Sequence, residues 1–344
     1  MQMKPLIVLK LGTASITKEN GDLNQVVLLD IVRQIAQLHQ SYRIVLVSSG
    51  AVGTGKNYLM KYAGSITERK AAAAVGNPLL LNIYTRFFEP YEIAIAQSLC
   101  ERQHFTHTGQ FHQLQETFAE LWKNNIIPIA NENDVVSNLE LKFSDNDELA
   151  TLLAVGFNAS LLLVGTSSGG LKDRDDKIVR EITKIDQSIL DLVRDQQSTL
   201  GIGGMATKLT FARLATKLGI KTILFDPADN GIMRAMGNQA GTVCLPQTSS
   251  DRERMQWIAS GNLVTGKLKA TSQANQALLD GQPLKIDGIE KIIANFEKGE
   301  VFEVLDPNGK SVAVAKARIS SKEIFENIQD LSFILATTSD IIIL

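Results

Sequence analysis

From its N-terminus to about Pro246, the chain alternates short apolar, β-branched runs with longer segments of helical period. Six runs have the length and composition of buried strands: residues 6–11, 43–48, 93–99, 126–130, 161–164 and 222–225. Helices are predicted between them, over 147–157 and 205–218 and along the face formed by Leu28, Ile31, Ile35 and Leu38. The alternation predicts an α/β fold with a doubly wound, mainly parallel sheet and helices on both faces.

The most distinctive short sequences follow the predicted strands directly. LKLGT ends the first strand, SSGAVGTG follows the second, and NEND follows the fourth. In open parallel sheets, ligands bind in the loops at the carboxyl ends of the strands. We therefore expect these three loops to form one site.

The pattern changes near Pro246, where QTSSDRER is polar and breaks the periodicity. Beyond it, strand-like runs over 299–305 and 312–317 flank a turn with the sequence DPNG. The sequence therefore predicts two domains, a catalytic domain over 1–250 and a small β-rich domain over 261–344.

Composition favours a small-molecule partner in the cytoplasm. The 344 residues are 44% hydrophobic and 21% charged, and no apolar run approaches the roughly 18 residues of a membrane span. No secretory signal pattern begins the chain. Cys100 and Cys244 are too few for a disulfide framework, and we expect both to be buried. A net charge of -2 gives no general attraction to nucleic acid or anionic lipid.

Two glycine-rich stretches compete as phosphate sites. GAVGTGK, residues 50–56, fits the GxxxxGK part of a P-loop, but Asn57 replaces the Ser or Thr that would bind Mg²⁺. GIGGMATK, residues 201–208, leads into a predicted helix, whose N-terminus and Lys208 could bind an anion. The alternative interpretation of residues 201–208 is a flexible loop before an ordinary helix. Lys10, at the end of the first strand, supplies a second cation. Its presence favours residues 201–208 as the phosphate site.

Acidic and amide residues complete the expected site. Two lysines directed at one phosphoryl group would offset the charge on its oxygens during transfer. Asp147 could hold these lysines, while Asp134 and Asn146 could bind the charged groups of a zwitterion. The alternative role for an acidic residue at a helix start is an N-cap. The spacing of His104, His107 and His112 could bring them together around a metal ion, but their polar surroundings are typical of an exposed connection, so no metal site is predicted.

Six motifs resemble the amino acid kinase family, in particular its glutamate-phosphorylating branch. That branch carries VVKxG, SSGAV, QAAAAVGQ, INENDxV, KFGDND and GTGGMxTKxxAA. The chain has, in the same order between about Leu6 and Pro246, IVLKLGT, SSGAVGTG, KAAAAVGN, ANENDVV, KFSDNDELA and GIGGMATKLTFARLA. The resemblance implies an open, mainly parallel αβα sandwich, the amino acid kinase fold, in agreement with the alternation of strands and helices.

The resemblance also implies a reaction and its participants. The γ-phosphoryl group of ATP, accompanied by Mg²⁺, would pass to the side-chain carboxylate of L-glutamate, giving the acyl phosphate that begins proline synthesis. Lys10 and Lys208 would stabilise the moving phosphoryl group, with Asp147 organising both. The implied glutamate-binding residues are Ser49, Gly50, Asn131, Asp134 and Asn146. The implied nucleotide-binding residues are Lys10, Thr166, Ser167, Ile202, Gly203, Gly204, Met205, Ala206, Thr207 and Lys208.

The chain departs from the family pattern near the expected nucleotide. Ser167 replaces the usual aspartate, Lys172 a tyrosine, and Ile202 a threonine. Because the lysines and Asp147 are intact, we expect activity with altered nucleotide affinity. Two alternatives stay open: a relative that phosphorylates another acid, and a glutamate or nucleotide sensor without turnover.

The C-terminal segment resembles a PUA domain, a small β-barrel that often ends members of this branch and binds RNA in other proteins. The match weakens beyond Ser321, where the usual GYEYG segment is missing. From Met255 to Leu344 the chain has nine Lys or Arg and eleven Asp or Glu, whereas an RNA-binding surface needs a basic excess. RNA binding is therefore not predicted. Inhibition by proline and assembly into a dimer or tetramer are expectations from the family.

Overall fold

The structure, a computed structural model, describes residues 3–18, 21–101, 103–106, 108–135, 146–194, 204–248, 266–296, 301–326 and 333–343. The chain divides into two compact units, Met1–His104 with Gly109–Arg254 and Phe105–Thr108 with Met255–Leu344. The predicted boundary between residues 250 and 261 lies outside the described residues and stays a prediction.

The first unit is built on one eight-stranded sheet. Its strands are β1 (Leu6–Leu11), β2 (Arg43–Ser48), β3 (Ile95–Cys100), β4 (Ile127–Glu132), β5 (Leu161–Gly165), β6 (Glu181–Ile182), β7 (Lys221–Phe225) and β8 (Thr242–Cys244). Their order is β3-β4-β2-β1-β5-β7-β8-β6, parallel from β3 to β7, while β8 runs antiparallel to β7. The predicted mainly parallel α/β fold is confirmed.

The helices of this unit cover both faces of the sheet. They are α1 (Thr13–Ile16), α2 (Gln25–His39), α3 (Ala51–Gly55), α4 (Ile66–Phe88), α5 (Gln103–Thr106), α6 (Thr108–Lys123), α7 (Asn146–Gly156), α8 (Gln187–Arg194), α9 (Met205–Lys217) and α10 (Gly231–Met236). Of these, α5 ends and α6 begins within Phe105–Thr108, which group with the second unit. Ile7, Leu9 and Leu11 of β1 share a buried core with α2 and α4. Because side chains alternate along a strand, Lys10 lies on the opposite face, where α7 packs on β1.

Two glycines allow α3 and α4 to pack backbone against backbone. A Cβ added to Gly55 would lie 1.9 Å from the carbonyl oxygen of Ala72, and one added to Gly76 would lie 1.8 Å from that of Ala51. No side chain fits at either position without separating the helices. Gly55, one of the glycines of the P-loop-like stretch, is therefore required by helix packing.

The second unit is β-rich, as predicted. Its strands are β9 (Gly266–Ala270), β10 (Leu284–Lys285), β11 (Ile289–Ala294), β12 (Val301–Leu305), β13 (Ser311–Lys316), β14 (Ile334–Ala336) and β15 (Ile341–Ile343). They form a five-stranded sheet, β11-β9-β12-β13-β15, and the pair β10-β14. Two helices accompany them, α11 (Ser272–Leu279) and α12 (Ser321–Glu326). Phe296 and Phe302 stack in its core with ring centroids 4.5 Å apart.

The predicted turn between β12 and β13 owes its shape to Asp306. Its Oδ1 accepts hydrogen bonds from the backbone N–H groups of Asn308 and Lys310, both at 2.8 Å. Gly309 adopts a φ of 81°, which favours glycine.

In the described parts of the chain, no helix combines the length and apolar character needed to cross a bilayer.

Both cysteines are buried, as the sequence indicated, and neither is in a disulfide. Burial raises the pKa of the Cys100 thiol to about 11 and that of Cys244 to about 12. Since the thiolate is the reactive form, we expect iodoacetamide at pH 8 to modify neither cysteine in the native protein and both in denaturant, as read by mass spectrometry. Stoichiometric labelling of the native protein would contradict this.

Candidate active site

Three charged side chains meet on the face of the sheet that carries α7. Asp147 Oδ1 lies 2.5 Å from Lys10 Nζ, and Asp147 Oδ2 lies 3.1 Å from Lys208 Nζ. The side chain of Lys10 is 5% exposed, that of Lys208 is 9% exposed, and that of Asp147 is 1% exposed. The structure thus brings together the three residues predicted to handle the phosphoryl group.

The elements that carry these residues explain why they meet. Lys10 lies near the carboxyl end of β1, in register with Val47 of β2 and Val164 of β5. Asp147 is in the first turn of α7, where a carboxylate interacts favourably with the helix dipole, and Lys208 is in the first turn of α9. Since α7 packs against both β1 and α9, the two helix starts converge on the end of the central strand.

The charge of this cluster suits an anionic group. Buried charges are stable only when they are paired, and one carboxylate pairs here with two ammonium groups. Two positive charges and one negative charge leave a net charge of +1 on these three side chains. A local excess of positive charge among these three side chains is compatible with an anionic ligand.

A residue without a side chain, Gly12, lies beside Lys10. A Cβ on Gly12 would lie 3.6 Å from Lys10 Nζ and 3.6 Å from the carbonyl oxygen of Gly165. At the start of α9, the N-cap residue Gly204 has no side chain with which to cap the helix. Backbone N–H groups at a helix start are favourable partners for an anion. Both features fit the binding of a phosphate group.

A set of amide and hydroxyl side chains is hydrogen-bonded beside this cluster. Asn146, the residue before Asp147, donates from Nδ2 to Ser49 Oγ at 3.0 Å and to Asn131 Oδ1 at 2.8 Å. Three of the residues predicted to bind glutamate are therefore in contact. The predicted Asp134 is half-buried in the turn after β4.

Gly50, also predicted for glutamate binding, turns the chain from β2 into α3. Its φ of 108° lies in the left-handed region, and a Cβ there would meet Ile16 Cδ1 at 3.1 Å. Both facts favour glycine at this position. Ser49 precedes it, and its backbone N–H donates to the carbonyl oxygen of Leu11 at 3.0 Å. The SSGAV loop is thereby fixed against the end of β1.

The hydrogen-bonded set of Asn131, Asn146 and Ser49, which we call the amide set, has a fourth member, Asn77, to which the sequence-based prediction gave no role. Asn77 is buried in α4, and its Oδ1 accepts a hydrogen bond from Asn131 Nδ2 at 2.9 Å. The available signal was the final residue of KAAAAVGN, a polar side chain that follows Gly76 in a helix stretch otherwise made of small apolar residues. Read alone, that stretch indicates only an ordinary buried helix.

Apart from Lys10, the residues predicted to bind nucleotide lie in two segments. Thr166 follows β5, where its N–H donates to the carbonyl oxygen of Phe225 at 2.7 Å and its hydroxyl pairs with that of Ser168 at 3.1 Å. Ser167 is exposed, and Lys172 pairs with Asp176 at 2.8 Å. Gly204, Met205, Ala206 and Thr207 form the start of α9. Ile202 and Gly203 lie outside the described residues. The nucleotide roles of this set stay predictions.

Lys56 of the P-loop-like stretch lies elsewhere. It begins a short 3₁₀ turn, Lys56–Tyr58, and its Nζ lies beside Gly21, since a Cβ there would be 2.5 Å away. The neighbouring Asn57 donates to Asp22 Oδ1 at 3.2 Å. Both residues therefore contact the turn at residues 21–22.

The histidines considered as metal ligands have other partners. Nδ1 of His104 accepts a hydrogen bond from the N–H of Glu101 at 3.0 Å, and the exposed His112 lies 3.3 Å from Glu116. His107 lies outside the described residues. Within the part of the chain that the structure describes, no three His, Cys, Asp or Glu side chains are grouped to hold a metal ion.

Both parts of the chain match known protein families. The amino acid kinase family model matches residues 5–226, and the PUA domain model matches residues 266–330. The chain is 33% identical over 330 residues to a glutamate 5-kinase of Thermoanaerobacter sp. (strain X514), covering 92% of this chain and 89% of that protein. With a glutamate 5-kinase of Pasteurella multocida (strain Pm70) it shares 33% identity over 335 residues, covering 93% and 90%.

Solved structures agree on the fold. A carbamate kinase of Giardia matches with a TM-score of 0.52 and 19% identity, over 72% of this chain and 100% of that one. At such low identity the likeness shows the fold alone and not a substrate.

Proposed function

The chain belongs to the amino acid kinase family, and we propose from this premise that it is a glutamate 5-kinase, which transfers the γ-phosphoryl group of ATP to the side-chain carboxylate of L-glutamate. The observation that carries this proposal is the pair of buried lysines on Asp147, next to the hydrogen-bonded set of Ser49, Asn131 and Asn146. One half of the site suits a phosphoryl group and the other half a small polar acid.

In the proposed reaction, an oxygen of the glutamate side-chain carboxylate forms a bond to the γ-phosphorus as the bond from phosphorus to the bridging oxygen of ADP breaks. The carboxylate is already a nucleophile, so no general base is required. Lys10 and Lys208 donate N–H groups to the oxygens of the phosphoryl group as charge redistributes over them. Asp147 orients both ammonium groups. Catalysis then depends on position and charge neutralisation.

Ser49, Gly50, Asn131, Asp134 and Asn146 are proposed to hold glutamate. Asn146 Oδ1 is buried and has no hydrogen-bond partner among the described residues. Burying a hydrogen-bond acceptor without a donor lowers the stability of the folded protein. The ammonium group of a bound amino acid is the kind of donor that it lacks.

ATP is proposed to bind along Thr166, Ser167 and the start of α9 through Lys208, with Ile202 and Gly203 before it. Lys10 would reach the transferred phosphoryl group from β1. Ser167 and Ile202 lack the acid and the hydroxyl of the family pattern, so we expect altered nucleotide affinity and not loss of turnover.

Mg²⁺ is proposed to accompany ATP. The ion commonly keeps several waters and is held by substrate phosphates with only one or two carboxylates. An ion bound in this way would reach the site with the nucleotide, held mainly through its phosphates. No step above is routed through a metal held by the protein.

Proline inhibition, a dimeric or tetrameric assembly and a cytoplasmic location complete the proposal. They rest on the family resemblance and on the early step in proline synthesis that the reaction would serve. A proline titration of the kinase assay tests the first. Sedimentation velocity tests the second.

The reaction is tested by trapping its product. With ATP, Mg²⁺, L-glutamate and hydroxylamine, we expect hydroxamate to form in proportion to enzyme and time, because hydroxylamine attacks an acyl phosphate. Reactions without glutamate, or with L-aspartate in its place, serve as controls. Product with another acid but not with glutamate would identify a different kinase of the family. Calorimetric binding of glutamate without any product would identify a sensor.

A further inference from the structure

Asn77 is the buried end of the amide set. It is 7% exposed and lies on α4, on the side of Asn131 away from Asn146. Neither Lys10, Asp147 nor Lys208 is among its hydrogen-bond partners. The hydrogen bond to Asn131 links Asn77 to the rest of the site, so we expect its effect on the reaction to pass through Asn131.

The hydrogen bonds have a fixed polarity along this set. The backbone N–H of Glu132 donates to Asn131 Oδ1 at 2.9 Å, and a backbone N–H can only donate. Asn131 must therefore present its oxygen on that side, where it also accepts from Asn146, and its NH₂ group on the other. That NH₂ group donates to Asn77 Oδ1. Asn77 is thus the acceptor that stabilises the orientation of the Asn131 amide.

We propose that Asn77 is a positioning residue for the amino-acid substrate: by accepting a hydrogen bond from Asn131, it fixes the amide that in turn holds Asn146 beside Ser49. This inference rests on the proposed function and adds a residue to its substrate side. Without Asn77, the Asn131 amide loses its buried acceptor and can rotate. Asn146 then loses the acceptor that orients its own side chain.

The backbone around Asn77 is well placed for this role. Gly76, the preceding residue, packs directly against Ala51 and Gly55 of α3. Ser49, whose hydroxyl accepts a hydrogen bond from Asn146, lies two residues before the start of α3. The contact between α3 and α4 therefore fixes the positions of both Ser49 and Asn77. The distance between these two residues is thus set by backbone packing.

A small cavity lies beside Asn77 and Asn131. Its volume is about 20 Å³, and Ser48, Tyr84 and Gln97 also line it. That is room for one water molecule. It is also room for part of the extra methylene of glutamine, the residue that ends the family pattern QAAAAVGQ where this chain has Asn77. A glutamine can therefore keep an amide oxygen near Asn131.

The test compares Asn77→Leu, Asn77→Ser and Asn77→Gln with wild type in the hydroxamate assay. Leucine keeps the branched arrangement of side-chain heavy atoms but is larger and lacks the acceptor, and serine is smaller and too short to reach Asn131. For both we expect the KM for glutamate to rise about tenfold, the effect of one lost buried hydrogen bond, while the KM for ATP stays within about twofold. Glutamine should return the KM for glutamate to within about threefold of wild type.

Leu80→Ala is the matched control, since Leu80 lines the same cavity one turn further along α4. It should lower the melting temperature without changing the KM for glutamate. The inference is overturned if Asn77→Leu and Asn77→Ser fold but keep the wild-type KM, or if Leu80→Ala raises that KM equally. Absence of glutamate turnover in the wild type would instead overturn the proposed function, so the two failures are distinguishable.

Discussion

Replacing Lys208 with alanine should lower the turnover number for glutamate by about 1000-fold, because a cation on the transferred phosphoryl group is worth a factor of this order. The protein should remain folded. After the substitution, Asp147 is still paired with Lys10, so no buried charge is left without its partner. Asp147→Asn would be a poorer test, since it leaves two buried ammonium groups without their carboxylate.

Lys56→Ala is the control for this experiment. If the GAVGTGK stretch bound phosphate as a P-loop does, its lysine would be as important as Lys208. Because Lys56 Nζ lies beside Gly21 and not at Asp147, we expect turnover within about twofold of wild type. The two variants are compared by initial rates of hydroxamate formation at saturating ATP and glutamate. Equal rates for wild type and Lys208→Ala, or a large loss in Lys56→Ala, would overturn the site assignment.

The second large effect should come from Gly76→Ala. The added methyl group would lie 1.8 Å from the carbonyl oxygen of Ala51, well inside van der Waals contact, so α3 and α4 must separate. We expect the free energy of unfolding to fall by about 3 kcal/mol or more, the upper range for overpacking, because the obstacle is backbone and not a flexible side chain. Urea denaturation followed by far-UV circular dichroism measures the change.

Gly109→Ala provides the matched control, with the same chemical change at the start of α6. A Cβ there meets no heavy atom within 4 Å, and alanine is the better helix former by up to about 1 kcal/mol. The two substitutions should therefore shift the urea midpoint in opposite directions. A midpoint unchanged by Gly76→Ala would mean that the helices can separate at little cost.

The sequence predicted the charged cluster because parallel strands and the helices that follow them place their ends at one edge of a sheet. Lys10 at the end of β1 and Lys208 at a helix start could therefore be expected to converge, with Asp147 as the carboxylate between them. The six predicted strands correspond to β1–β5 and β7. Within this set, β3 begins at Ile95 and not at residue 93, because the N–H of Ile93 bonds back to Phe88 at the end of α4.

The short strands β6 and β8 and the role of Asn77 were not predictable in this way. Strands of two and three residues have too few alternating positions to form a pattern. Asn77 lies in a helix whose composition indicates only burial, and its partner Asn131 is 54 residues away in the sequence. The P-loop-like pattern was misleading for a similar reason. Local spacing cannot distinguish a glycine that approaches phosphate from one, such as Gly55, that approaches another helix.

The carboxylate shared by two lysines has a further consequence for the chemistry of the product. Acyl phosphates are mixed anhydrides, which water hydrolyses readily. Carboxylate attack on ATP consumes and releases no proton at the reacting atoms, so Lys10, Lys208 and Asp147 can keep their charges throughout the cycle. A site of this kind needs no water chain to carry protons. Exclusion of water by the bound substrates would then protect the anhydride until it is released.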